Sequence, residues 1–142
     1  MKIARQFHWE MGHRLPFHGG ECKNLHGHSY RMWVELEGEC DQNGMLIDYG
    51  EMKKLIQPVI DTIDHCFLCD EQDEYMKSFL KISPFKVVYV PFTTTAENIA
   101  EYLLEKIRNV LSSFDNIDSI KIRLAETETS YAEILRERSK NG

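Results

Sequence analysis

The chain has 142 residues, 42% hydrophobic and 28% charged, an ordinary balance for a globular protein, and at this length one domain spanning residues 1–142 buries enough core to need no staples. A net charge of −6 with no basic run excludes nucleic-acid binding driven by phosphate contacts, although a small anionic substrate stays possible because pocket charge is local. No apolar stretch reaches the roughly 20 residues that span a bilayer, and the opening "MKIARQFHW" has no secretory apolar region. Cys22, Cys40, Cys66 and Cys69 therefore read as thiols rather than disulfides, and a cytoplasmic protein is expected.

The first ten residues or so alternate. Ile3, Phe7, Trp9 and Met11 share one parity, with Arg5 the exception, while Gln6, His8 and Glu10 share the other, which predicts a half-buried strand. "PFHGGECKN" is a turn-rich loop broken by Pro16 and the Gly19-Gly20 pair. "HSYRMWVELEG" alternates again through Tyr30, Met32, Val34 and Leu36, so the first two elements form a hairpin with a long connection. After the turn "DQNG", Met52, Leu55, Ile56, Val59, Ile60 and Ile63 fall at helical spacing, with Pro58 predicted to kink or split the helix. Residues 66–86 are the least periodic, and "KVVYV" at 86–90 reads as a short strand. Ile99, Ala100, Leu103, Leu104, Ile107, Val110 and Leu111 mark the clearest helix, opened by a capping box of Thr94 and Glu97. "SIKIRLAE" alternates, and a last strand is expected over residues 130–136. The predicted class is α+β, a four-stranded antiparallel sheet with two helices on one face, in the order strand, strand, helix, helix, strand, strand.

The chemistry concentrates in "CKNLHGHSY". His26 and His28 are two apart at the mouth of a strand, so both point to the face that carries Tyr30, Met32 and Val34. Imidazoles entering an apolar layer need a partner or a metal. His13 ends the first strand on its apolar parity, and antiparallel pairing brings it beside them. Three neutral imidazoles make a tetrahedral Zn2+ site with one position open, the mark of a catalytic zinc. Cys22, four residues before His26 and next to Lys23, is a candidate thiolate base or nucleophile; the alternatives are a fourth zinc ligand or an ordinary packed thiol. Asp64 and His65 follow the first helix and suit proton relay, each through a third group, since adjacent Asp-His pairs rarely hydrogen-bond to each other; a histidine complementing the helix C-terminus is the simpler alternative. Cys66-x-x-Cys69 lacks a second such pair and a parallel βαβ pattern, and reads as two packed thiols. Glu126 ends a strand, where a carboxylate can hold an aminopyrimidine edge through two parallel hydrogen bonds or simply face water.

C-x-x-x-H-G-H, an earlier histidine ending strand one, "DH" after the first helix, "TAEN" opening the second and "ET" near the C-terminus occur in this order. With them the chain resembles the 6-pyruvoyltetrahydropterin synthase / 6-carboxytetrahydropterin synthase family along most of its length. The resemblance implies the tunnelling fold, with subunits joining sheets into barrels, as a homohexamer. It implies zinc on His13, His26 and His28, Cys22 as catalytic base assisted by Asp64 and His65, and Glu126 anchoring the pterin with Thr95 nearby. The implied substrate is 7,8-dihydroneopterin triphosphate. The three-residue gap between Cys22 and HGH resembles the 6-carboxytetrahydropterin synthases of queuosine (7-deazaguanine) biosynthesis, a lyase activity releasing acetaldehyde and triphosphate. Sister branches make 6-pyruvoyltetrahydropterin or serve folate synthesis, the latter with Glu for Cys, and Glu21 stands beside Cys22. Met11-Gly12 departs from the family's usual alanine pair, "TTTAEN" lacks a proline before the threonine, and residues 70–90 are longer than in compact members. Arg14, Lys23 and Arg31 carry charge suited to a triphosphate, or are solvated surface charge. The competing class is a zinc-stabilised assembly module in which Cys22 closes the metal site.

Overall fold

A computed structural model of the chain describes residues 1–138. Its elements are β1 (Lys2–His13), a single 3-10 turn (Glu21–Lys23), β2 (His26–Gly38), α1 (Tyr49–Asp61), β3 (Cys66–Asp70), α2 (Glu74–Leu80), β4 (Val87–Val90), α3 (Ala96–Val110), β5 (Ile117–Ala125) and β6 (Ala132–Glu137). The six strands form one sheet in the order β4-β3-β1-β2-β5-β6.

The alternation in β1 and β2 has a direct cause. One face of each strand packs against helices and the other is open, so Phe7, Trp9 and Met11 are buried beside Tyr30, Met32, Val34 and Leu36, while Gln6, His8, Arg31 and Trp33 are exposed. The hairpin is antiparallel from Lys2↔Glu37 to His13↔His26. Arg5 breaks the apolar parity because its guanidinium donates to the Tyr49 carbonyl (3.1 Å) at the start of α1. Helices α1 and α3 cover this face, α3 burying Ile99, Ala100, Leu103, Leu104 and Ile107, each large side chain contributing roughly 1.5–3 kcal/mol.

The sheet corrects the four-stranded antiparallel expectation. It has six strands and is mixed, since β1 and β3, and β3 and β4, run parallel. Among the described residues there are three α-helices, not two. The unexpected unit is β3-α2-β4, a parallel βαβ, of which the sequence anticipates only the short strand β4, at 86–90. Its strand β3 is covered on both sides: Cys66 and Leu68 join the main core, while Cys69 packs with Met76 and Leu80 of α2. A strand buried on both faces shows no alternation, so the segment looks aperiodic. Cys66 and Cys69 therefore lie in different clusters, as free thiols that burial pushes up to about 11.

Two local expectations also change. Pro58 does not split α1, which runs unbroken from Tyr49 to Asp61 with Pro58 exposed in its last turn. The cap of α3 is Thr95, whose hydroxyl accepts from Asn98 N–H (3.2 Å), not Thr94. In a run of three threonines the register of the cap was not legible, and Thr94 is fully buried instead.

Candidate metal centre and active site

The pairing of β1 with β2 puts His13 directly opposite His26 and Met11 opposite His28. The three rings converge, with centroids 4.6 Å (His13–His26), 5.2 Å (His13–His28) and 5.0 Å (His26–His28) apart. One nitrogen from each lies within 4.8 Å of the others, and Cys22 is not a member of this group. Between His26 and His28, a Cβ at Gly27 would stand 3.1 Å from the Met11 carbonyl, a tight fit against the facing strand.

Two of the rings, buried His13 and half-buried His26, are held through Nδ1. His13 Nδ1 lies 2.7 Å from the Thr94 carbonyl oxygen, and His26 Nδ1 lies 2.7 Å from that of Asn24. A carbonyl only accepts, so both Nδ1 atoms carry a proton, and in the neutral ring it is Nε2 that presents the lone pair. Those two Nε2 atoms are buried without a hydrogen-bond partner. Burial, reinforced by the neighbouring imidazoles, pushes His13 down to about 4 despite its bond to Thr94, and burial also lowers His28 against the pull of Glu126. Neutral rings with aimed lone pairs and Nδ1 donors fixed by carbonyls are what a zinc ion requires. The donor set fits that metal.

Glu126 closes the far side. Its Oε1 is 3.8 Å from His13 Nε2 and its Oε2 is 3.8 Å from His28 Nε2. These distances exceed a hydrogen bond, and Glu126 is not a member of the group whose donor atoms all lie within 4.8 Å of one another, so the carboxylate borders the three rings. Tyr30, fully buried, donates to Glu126 Oε1 at 3.3 Å; burial, then the Glu126 charge, pushes its phenol up, so it stays a donor. Tyr30 shares the parity of His26 and His28, as their spacing in the sequence predicts, and so reaches the same side of the sheet.

Asp64 and His65 differ from expectation. They hydrogen-bond to each other, His65 Nδ1 to Asp64 Oδ1 at 2.8 Å. His65 has φ 61°, the only positive value at a non-glycine among the described residues, and this left-handed turn folds the ring back over its neighbour at a cost of about 1 kcal/mol. The turn is tied to β1 by His65 N–H to the Glu10 carbonyl (2.6 Å) and Glu10 N–H to Asp64 Oδ1 (3.1 Å). Burial alone would raise Asp64, but the Glu10 N–H, His65 and the Lys86 charge hold it below its ordinary value. The cation at the end of α1 is Lys86, donating to the carbonyls of Asp61 (2.9 Å) and Asp64 (2.8 Å). His65 lines a hollow of about 340 Å3 with His28 and Cys66, and an apolar one of about 480 Å3 with His26, Leu25 and Phe85.

The remaining candidates are placed separately. Cys22 sits half-buried in the 3-10 turn. Thr95 is the α3 cap and is not brought to Glu126 by any hydrogen bond. Arg14 is engaged by Asp73, Arg31 lies 3.4 Å from Glu128, and Lys23 is exposed. Thr94, Asn24, Tyr30, Asp73 and Lys86 contact the candidate residues without having been singled out from the sequence; all but Tyr30 do so through backbone groups or long-range contacts that leave no periodic trace.

Residues 2–137 match the family described as 6-pyruvoyl tetrahydropterin synthase. The chain belongs to that family. A relative from Haemophilus influenzae, 6-carboxy-5,6,7,8-tetrahydropterin synthase, is 36% identical over 93% of this chain and 96% of its own length. Among solved structures, the 6-pyruvoyl tetrahydropterin synthase of Caenorhabditis elegans is 28% identical, with TM-score 0.66 over 98% of this chain and 96% of that one. A catalytic-residue mutant of the Plasmodium vivax 6-pyruvoyltetrahydropterin synthase reaches TM-score 0.80 at 18% identity over 97% of this chain and 98% of that one, a likeness of fold. The chain is thus an enzyme of the pterin synthase family.

Proposed function

We propose that the protein is a zinc-dependent 6-carboxytetrahydropterin synthase, a lyase that converts 7,8-dihydroneopterin triphosphate to 6-carboxy-5,6,7,8-tetrahydropterin, releasing acetaldehyde and triphosphate, in queuosine (7-deazaguanine) biosynthesis. The observation that carries the reading is the pair of buried, unpartnered Nε2 atoms of His13 and His26 converging with His28 beside Glu126. The 36% identity to a relative of that name supports this product over the 6-pyruvoyl one, to whose named structure the identity is 28%.

His13, His26 and His28 would hold the zinc, which supplies Lewis-acid polarisation of the substrate's side-chain hydroxyls. Glu126, oriented by the Tyr30 hydroxyl, accepts two parallel hydrogen bonds from the aminopyrimidine edge. Cys22 takes a proton from the side chain as thiolate. Asp64, ionised, fixes the His65 ring through Nδ1, leaving Nε2 to give or take a proton. Thr95 keeps a hydroxyl proton to donate while it caps α3. The ring of His65 is 74% exposed, and β4 and β6 are open edges of the sheet. Both features support a homohexameric ring with sites at subunit interfaces. A cytoplasmic setting belongs to the same proposal, with all four cysteines free.

The test is incubation of the zinc-loaded protein with 7,8-dihydroneopterin triphosphate and identification of the pterin by mass. A carboxyl group at C6 is expected. A pyruvoyl or hydroxymethyl group assigns a sister branch, and no turnover by a fully zinc-loaded protein overturns the enzymatic reading in favour of an assembly module.

A further inference from the structure

The turn that carries Cys22 has no buried residue, so hydrophobic packing does not set its position. Polar ties do. Leu15 N–H donates to the Cys22 carbonyl (2.8 Å), and Arg14 Nη1 donates to the Lys23 carbonyl (3.2 Å). Both ties come from the two residues that follow His13.

Arg14 is itself held. Its Nε donates to Asp73 Oδ2 (2.7 Å) and its Nη2 to Asp73 Oδ1 (2.8 Å), a two-pronged pair whose carboxylate side chain is only 5% exposed. The Arg14 carbonyl accepts from Thr94 Oγ1 (3.3 Å), the residue that also fixes His13. Three of the five guanidinium N–H groups are engaged, two by one carboxylate and one by a backbone carbonyl. A planar fork bonded on two sides has one orientation, which a flexible ammonium does not.

We propose that Asp73 and Arg14 are positioning residues for Cys22. Asp73, delivered by the start of α2, locks the Arg14 fork, and the fork holds the thiol's turn in register with the strand end that carries His13. This gives the β3-α2-β4 segment a role in the reaction without contact to substrate. It rests on the reading of Cys22 as the base.

The simpler role for Asp73 is capping α2, since its Oδ1 also accepts from Met76 N–H at 3.3 Å. Asp73→Asn separates the two, because asparagine caps as well as aspartate but offers Arg14 one acceptor rather than two. Arg14→Lys removes the fork and keeps the charge. Both variants are made in the zinc-loaded full chain and read three ways: zinc per chain with melting temperature, the rate at which iodoacetamide modifies Cys22 as followed by peptide mass, and kcat and KM for 7,8-dihydroneopterin triphosphate.

The expected result is unchanged zinc, a melting temperature lowered only slightly by loss of the ion pair, Cys22 alkylation about 3-fold faster or more, and kcat lower by roughly 10- to 100-fold with KM little changed, the scale of loss that follows a misplaced catalytic group. The double variant should be no worse than the worse single one, since both break the same link. The proposal is overturned by unchanged kcat and unchanged Cys22 alkylation, or by a kcat that falls only in step with zinc content. Because alkylation needs no substrate, a wild-type protein that makes no pterin yet shows the variant-dependent alkylation sinks the functional reading alone and leaves the tether standing.

Discussion

The end of the β1-β2 hairpin and the β3-α2-β4 unit border the same site and are built by opposite rules. In the hairpin, one face of each strand meets the core and the other is open, so parity sorts side chains and three histidines arrive on one side. In β3 both faces are covered, and no parity survives. The hairpin supplies the candidate metal donors. The second unit and the turn before it supply Asp64 and His65 and the groups that hold their neighbours, Asp73 on Arg14 and Lys86 on the Asp64 carbonyl. Donors can be found by periodicity, whereas the supports are found only by tracing contacts through the fold.

The comparison breaks first at the hairpin. Replacing His26 with Ala should abolish stoichiometric zinc binding and turnover together, as measured by metal analysis and assay; retention of one zinc per chain would move the centre elsewhere. Glu126→Gln sharpens the distinction between donor and neighbour. It should keep zinc and lose about 10²–10³-fold in kcat/KM, the worth of one to two charge-assisted hydrogen bonds. Loss of zinc instead would make Glu126 a ligand. In the second unit, Leu68→Ala should cost about 2–4 kcal/mol in denaturant unfolding and Leu80→Ala less, because Leu68 fills the main core and Leu80 a cluster of three buried residues. Equal costs would mean the α2 side is as well packed as the core.

The smallest effect concerns acid. The Arg14 fork holds the Asp73 carboxyl below its ordinary range. The unfolded chain therefore binds that proton more readily, and the pair stabilises the fold above the ordinary value of 3.8. The contribution fades as pH falls through the lower folded value. Wild type should accordingly exceed Asp73→Asn in stability at neutral pH, with the gap closing below pH 4, as followed by thermal unfolding; a gap independent of pH would assign the difference to something other than the ion pair.

Much of the candidate site was legible because it sits on alternating strands. His13, His26 and His28 followed from parity and an antiparallel hairpin, and α3 from its apolar spacing. The family resemblance drew on the same residues. The strand count failed where burial on both faces erased the pattern, and the capping register failed where three threonines stood in a row. The internal Asp64-His65 bond was illegible for a different reason: it depends on a left-handed φ that a histidine seldom adopts. Arg14 looked like a surface cation because its partner lies 59 positions away.

X-ray absorption at the zinc edge of the loaded protein tests the centre most directly. Three nitrogen scatterers at about 2.0–2.1 Å and one oxygen, with no sulfur, are expected of imidazoles that leave a coordination position to water. A sulfur at about 2.3 Å would show that a cysteine fills that position, and would contradict the account of Cys22 as a free base beside an open metal.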